Sequence, residues 1–181
     1  VNIYETGVGD SNRLIEITAK EYELYGGIVA RLKHAVQDEF GLSELYFTAP
    51  TFITRLVGNN SWSPQTMHDE YWHTHVDKNN TDHYDYSGLL YLSDYGQDFE
   101  GGRLTFFDST DEVTPAVHLE PARGRLLLFS AGQENPHKVE KVTEGRRYVL
   151  SFWFTCQSDF AFQNFLDGKA HKRYGESKIS S

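Results

Sequence analysis

The sequence holds one cysteine, Cys156, one methionine and 5 prolines in 181 residues. A single thiol excludes an internal disulfide and the cysteine-rich zinc modules. No run of about 18 apolar residues occurs, so no membrane-spanning helix is expected within these residues. Basic side chains are in the minority, 17 Lys+Arg against 26 Asp+Glu, for a net charge of −9 with neutral histidine. Such a surface repels phosphate backbones, and no nucleic-acid partner is expected. Several catalytic signatures are also missing. There is no His-Glu-x-x-His zinc helix, no Gly-x-Ser-x-Gly nucleophile elbow and no phosphate-binding glycine loop. Neither an internal repeat nor a low-complexity block is present.

Aromatic residues are plentiful, at 14% of the chain with 12 Phe, 11 Tyr and 3 Trp. That load describes one packed domain. It is expected to occupy residues 1–166, with a helix over about 18–40, a β core over about 45–156 and a polar, fraying tail at 167–181. Thr18-Ala19-Lys20-Glu21 reads as a capping box, in which threonine and glutamate each satisfy a backbone N–H at the helix start. Tyr22, Tyr25, Val29, Leu32, Val36 and Phe40 then recur at spacings of three and four, and Gly41 supplies the stop. Beyond it come short β-type runs: Leu45–Phe47, Thr51–Val57, Tyr71–Val76, Tyr86–Ser93, Arg103–Phe107, Val113–Leu119, Arg125–Phe129, His137–Val142 and Arg147–Thr155. Breakers separate them, among them Asp94–Gly102 and Thr143–Gly145. About nine strands behind one packing helix imply a mainly β, α+β architecture, a jelly roll or barrel with N-terminal helical support.

The densest chemistry lies in Met67–Asp77. If this segment ends in a strand, Tyr71, His73, His75 and Asp77 share one face. Imidazole nitrogen with carboxylate oxygen suits a borderline divalent metal such as Fe(II). Two ligands do not close a site, and the candidate third is His137, which opens a strand after the turn at 132–136. A cupin would place a glutamate shortly after His73-Thr74-His75, where this chain has Lys78-Asn79-Asn80. The ordered set is therefore His75-x-Asp77, the pair Gly101-Gly102, His137, and Arg147 ten residues further on. On a strand, Arg147 shares a face with Val149, Ser151 and Trp153, which can line one pocket.

This set, with Leu89-Leu90-Tyr91-Leu92-Ser93, Phe99-Glu100-Gly101-Gly102-Arg103-Leu104-Thr105-Phe106 and Gly124-Arg125-Leu126-Leu127-Leu128-Phe129, resembles the Fe(II)- and 2-oxoglutarate-dependent dioxygenases, in their prolyl-4-hydroxylase-like branch. The resemblance implies a double-stranded β-helix of cupin-like, jelly-roll form. It implies His75, Asp77 and His137 as iron ligands, with no catalytic side chain beyond the metal centre. Arg147 would bind the far carboxylate of 2-oxoglutarate through its planar fork, with Tyr91 adding a hydroxyl. The co-substrates are 2-oxoglutarate and O₂, ascorbate is an admissible auxiliary reductant, and the products are succinate, CO₂ and a hydroxylated polypeptide side chain. Trp72 and His73 are the candidates for contact with a protein or peptide substrate. Two departures stand out: Trp72 occupies a place where the branch usually has tyrosine, and Leu104 one where it often has threonine. Two other readings stay open, an inactive jelly-roll binding module and a cupin-like metalloprotein that makes no use of 2-oxoglutarate.

The first residue is Val1, which is consistent with a fragment whose upstream segment carries a membrane anchor. The resemblance implies a membrane-tethered glycoprotein with this domain in the secretory lumen. Sequons at Asn59-Asn60-Ser61 and Asn79-Asn80-Thr81 would then be usable, and a lone Cys156 fits an oxidising space.

Overall fold

In a computed structural model, residues 18–48, 51–59, 72–108 and 114–162 are described. Helix α1 spans Ala19–Phe40, and its capping box forms as the sequence implies. The Glu21 amide donates to the Thr18 hydroxyl, and the Glu21 carboxylate accepts from the Thr18 amide at 2.8 Å. Gly41 ends the helix in the left-handed region at φ 65°, a conformation glycine adopts without a Cβ penalty.

The strands are β1 (Tyr46–Phe47), β2 (Phe52–Val57), β3 (Tyr86–Tyr91), β4 (Phe99–Gly101), β5 (Leu104–Phe107), β6 (Pro115–Leu119), β7 (Leu126–Ser130), β8 (His137–Val139) and β9 (Val142–Thr155). A short helical turn, α2 (Asp77–Asn80), precedes β3. The larger sheet runs β1-β9-β3-β7, with β2 and β4 also pairing to β9, and the smaller runs β6-β5-β8. Every strand pairing is antiparallel. This is the expected jelly roll with helical support.

Strand β9 organises both faces of the larger sheet by simple alternation. Leu150, Phe152 and Phe154 point outward and form the main core with Leu32 and Val36 of α1 and Phe47 of β1. Arg147, Val149, Ser151 and Trp153 point inward and line a cavity between the two sheets. Gly88 of β3 lies under Phe152, where a Cβ would come within 2.1 Å of the ring.

Three expected elements differ. Residues 72–76 form no strand; they hold a single bridge, His75 to His137, and the chain turns into α2 at Asp77. Tyr71, like Met67–Glu70 and the tail at 167–181, lies outside the described residues. The segment read as a breaker at 94–102 contains β4. The expected break at Thr143–Gly145 is the interior of β9, because β4 pairs there, Phe99 with Gly145. A Cβ on Gly145 would sit 2.1 Å from the Asp98 carbonyl oxygen, so this glycine marks a close backbone approach rather than a turn.

Candidate metal centre

His75, Asp77 and His137 reach one point from two separate pieces of backbone. The His75 amide donates to the His137 carbonyl and the His137 amide to the His75 carbonyl, each at 2.9 Å, which fixes the two imidazoles side by side with centroids 4.4 Å apart. Asp77, the first residue of α2, enters from the same segment after the turn of the chain. One donor atom from each of the three lies within 4.8 Å of the others. Asp77 Oδ1 is 3.4 Å from His75 Nε2 and 3.9 Å from His137 Nε2.

The outer atoms of all three groups are engaged elsewhere, which aims the inner ones. His75 Nδ1 lies 3.1 Å from the His73 carbonyl and His137 Nδ1 2.9 Å from the Asn135 carbonyl. A carbonyl only accepts, so each Nδ1 is the donor there and each Nε2 is turned toward the shared point. Asp77 Oδ2 accepts from the Ser87 hydroxyl at 2.6 Å and from Trp153 Nε1 at 3.1 Å. Burial pushes the Asp77 carboxyl up, but the His75 hydrogen bond, the His137 charge and Ser87 together hold it below its ordinary value. Burial pushes His137 down, with the Asp77 charge and the Asn135 hydrogen bond opposing. The hydrogen bond to Asp77 raises His75 against its own burial. Two neutral-capable imidazoles and one ionised carboxylate fit a non-haem Fe(II) site, with coordination positions left for small ligands.

The cavity beside them, about 190 Å³, is walled mainly by apolar side chains such as Leu56, Leu89, Leu104, Phe129, Val139 and Val149. Arg147 brings a permanent cation to this wall while only 2% exposed. Its Nε donates to the Gly102 carbonyl at 2.9 Å. Gly102, at φ 66°, is where a Cβ would press within 3.0 Å of the Arg147 side chain and closer still to Val142, so the second glycine of Gly101-Gly102 makes room for the arginine.

Tyr91 is fully buried, and its hydroxyl has no hydrogen-bond partner among the described residues. The Arg147 guanidinium carbon sits 5.5 Å from its ring centroid, the geometry of a charge over a ring. Burial raises the phenol, with Arg147 opposing. A buried phenol hydroxyl beside a buried guanidinium fits a dicarboxylate ligand better than it fits an apolar core.

The structure thus brings together His75, Asp77, His137 and Arg147 on one cavity. Tyr91 packs against Arg147 but is not part of the wall. Trp72 and His73 do not line it. Trp72 is half-buried with Lys141 Nζ 5.3 Å from its ring centroid, and His73 is exposed, contributing its carbonyl to His75. Sequence reasoning missed Ser87; the available signal was its alternation with Leu89 and Tyr91, on the inner face of β3.

A double-stranded β-helix with two histidines, an aspartate and a buried arginine on one internal cavity defines a class, and the sequence of residues 63–155 matches its family: the chain belongs to the 2OG-Fe(II) oxygenase superfamily. The rat protein named 2-oxoglutarate and iron-dependent oxygenase domain-containing protein 3 is 42% identical over 166 residues, 91% of this chain and 50% of its own length. The chain therefore spans about half the length of the relatives of that name. Human prolyl 3-hydroxylase 3 is 46% identical over 85 residues, 47% of this chain and 11% of its own. Among solved structures, an oxidoreductase of the 2OG-Fe(II) oxygenase family from Burkholderia pseudomallei superposes with a TM-score of 0.56 at 20% identity, covering 80% of this chain and 60% of that one; this likeness concerns the fold.

Proposed function

We propose that this domain is a non-haem Fe(II)- and 2-oxoglutarate-dependent dioxygenase that hydroxylates a polypeptide side chain. The observation that carries the reading is the convergence of three donor atoms within 4.8 Å on a cavity that also receives Arg147. His75, Asp77 and His137 would hold the iron through Nε2, Oδ1 and Nε2. Arg147, with the Tyr91 hydroxyl, would bind the far carboxylate of 2-oxoglutarate. When bound, the iron, 2-oxoglutarate and O₂ supply an oxidant for a C–H bond, and the co-substrate leaves as succinate and CO₂. The residues do the rest. The His73 and Asn135 carbonyls take the Nδ1 protons and turn both Nε2 atoms toward the shared point, apolar side chains wall the cavity, and Arg147 stays charged at any working pH. The likeness to prolyl 3-hydroxylase 3 over 85 residues favours a peptide or protein substrate over a free metabolite.

The test is a melting curve and a turnover assay. Fe(II) with 2-oxoglutarate is expected to raise the melting temperature beyond Fe(II) alone, and a peptide screen to yield succinate with a +16 Da product. An inert module would show neither effect, and a cupin-like metalloprotein would respond to metal but not to 2-oxoglutarate.

A lumenal, membrane-tethered setting belongs to the same proposal. Asn59 and Asn79 are both exposed, as glycosylation requires; Asn60 and Ser61 of the first sequon lie outside the described residues. Expression in a secretory host should give a glycosidase-sensitive mobility shift, lost in Asn79→Gln if that sequon is used.

A further inference from the structure

Asp77 offers two carboxylate oxygens, and the two are treated differently. Oδ1 faces both imidazoles. Oδ2 takes a hydroxyl from one strand and an indole N–H from another: Ser87 at 2.6 Å and Trp153 at 3.1 Å. These donors are not a chance meeting. Ser87 of β3 and Trp153 of β9 are directly opposed partners in the antiparallel ladder, so their side chains rise on the same face of the larger sheet. The site is dry, with Ser87 at 2% and Asp77 at 8% exposure. The indole is itself held, stacked on Tyr84 at 5.4 Å and 17° and edge-on to Phe52 at 5.7 Å and 66°. An ionised carboxylate only accepts hydrogen bonds. With two donors on Oδ2, that oxygen's lone pairs are spent on the larger sheet.

We infer that Ser87 and Trp153 are positioning residues that force Asp77 to ligate a divalent metal through Oδ1 alone, keeping as many coordination positions as possible open for co-substrate. This inference rests on the metal-centre reading above. Chelation through both Asp77 oxygens would consume one further position and would have to displace the donors on Oδ2.

The experiment uses Co(II) as the probe, titrated without 2-oxoglutarate and read by affinity and by its absorption bands. Ser87→Ala and Trp153→Phe each remove one donor while keeping volume or ring, and circular dichroism of the metal-free variants checks the fold. Each is expected to weaken Co(II) binding about 10- to 100-fold, as losses of outer-shell partners do, and both are expected to shift the Co(II) spectrum in the same direction. Because both donors serve one oxygen, the double variant should bind less than multiplicatively worse than the singles. Folded variants that bind Co(II) as tightly as the parent with unchanged spectra overturn the clamp. The Asp77→Ala control separates the two readings. If it binds Co(II) like the parent, the metal centre fails and the clamp with it; if it loses Co(II) while the donor variants do not, only the clamp falls.

Discussion

Arg147 and the ligand trio can be tested apart, because they act on different groups. His75→Ala, Asp77→Ala and His137→Ala each leave two donors where three are needed, so each is expected to abolish succinate formation and Fe(II) binding. Arg147→Ala touches no ligand and should bind metal normally. It removes one charge-assisted contact of about 1.5–3 kcal/mol, which corresponds to about 10- to 150-fold weaker binding of 2-oxoglutarate. Arg147→Lys keeps the charge but loses the fork, and should fall between. Direct titration of 2-oxoglutarate reads both; an Arg147→Ala protein that binds it like the parent removes the co-substrate assignment while leaving the metal.

At the level of elements, Gly88 is a position where the larger sheet has no room for a side chain. An added Cβ meets the Phe152 ring at 2.1 Å, and that ring cannot yield, being fully buried and packed edge-on against Phe47 and Phe154. Gly88→Ala is expected to cost about 1–3 kcal/mol by overpacking, measured as a fall in the urea midpoint at unchanged slope. The same alternation that makes Gly88 critical was legible in the sequence. The capping box, the helix stripe, most strands, and the inward set Arg147, Val149, Ser151 and Trp153 follow from local periodicity. What escaped depends on distant backbone. His75 is placed by a bridge to His137 and not by a strand of its own, and β4 exists only because residues far along the chain pair with it. Gly145 looks like any turn glycine until Asp98 is seen against it. Ser87 carries only the period-two mark of its face, and its role arises from being opposite Trp153.

For the molecule as a whole, Asp85 ties the pieces that carry the centre. Its carboxylate accepts from Lys78 Nζ at 2.9 Å, from the Thr155 hydroxyl at 3.2 Å and from the Cys156 amide at 2.9 Å. Its backbone carbonyl accepts from the Ala131 amide at 2.9 Å. Thus α2, the end of β7 and the end of β9 share one residue. Burial pushes this carboxyl up, but the Cys156 amide, Lys78 and Thr155 outweigh it and leave it below its ordinary 3.8. A depressed folded pKa means that the stabilisation is complete above the ordinary value and is lost as pH falls through the lowered one. Asp85→Asn lacks that term. The melting-temperature gap between parent and Asp85→Asn should therefore be widest near neutrality and close on acidification; a gap constant with pH would assign Asp85 a purely steric role.

Strand β9 pairs with β1, β2, β3 and β4 and comes last among the strands of the described residues. A chain emerging from the ribosome consequently makes its helix and eight shorter strands before the piece that joins them. Until Val142–Thr155 has emerged, the larger sheet lacks its centre, the helix lacks Leu150, Phe152 and Phe154 to cover, and neither the indole beside Asp77 nor the arginine of the cavity wall yet exists. Assembly is then dominated by contacts between residues far apart in sequence, which slows folding and leaves unpaired edges exposed while it proceeds. The centre is built only once β9 has emerged, so a chain cut short before β9 should accumulate as a chaperone client rather than as a partly active enzyme.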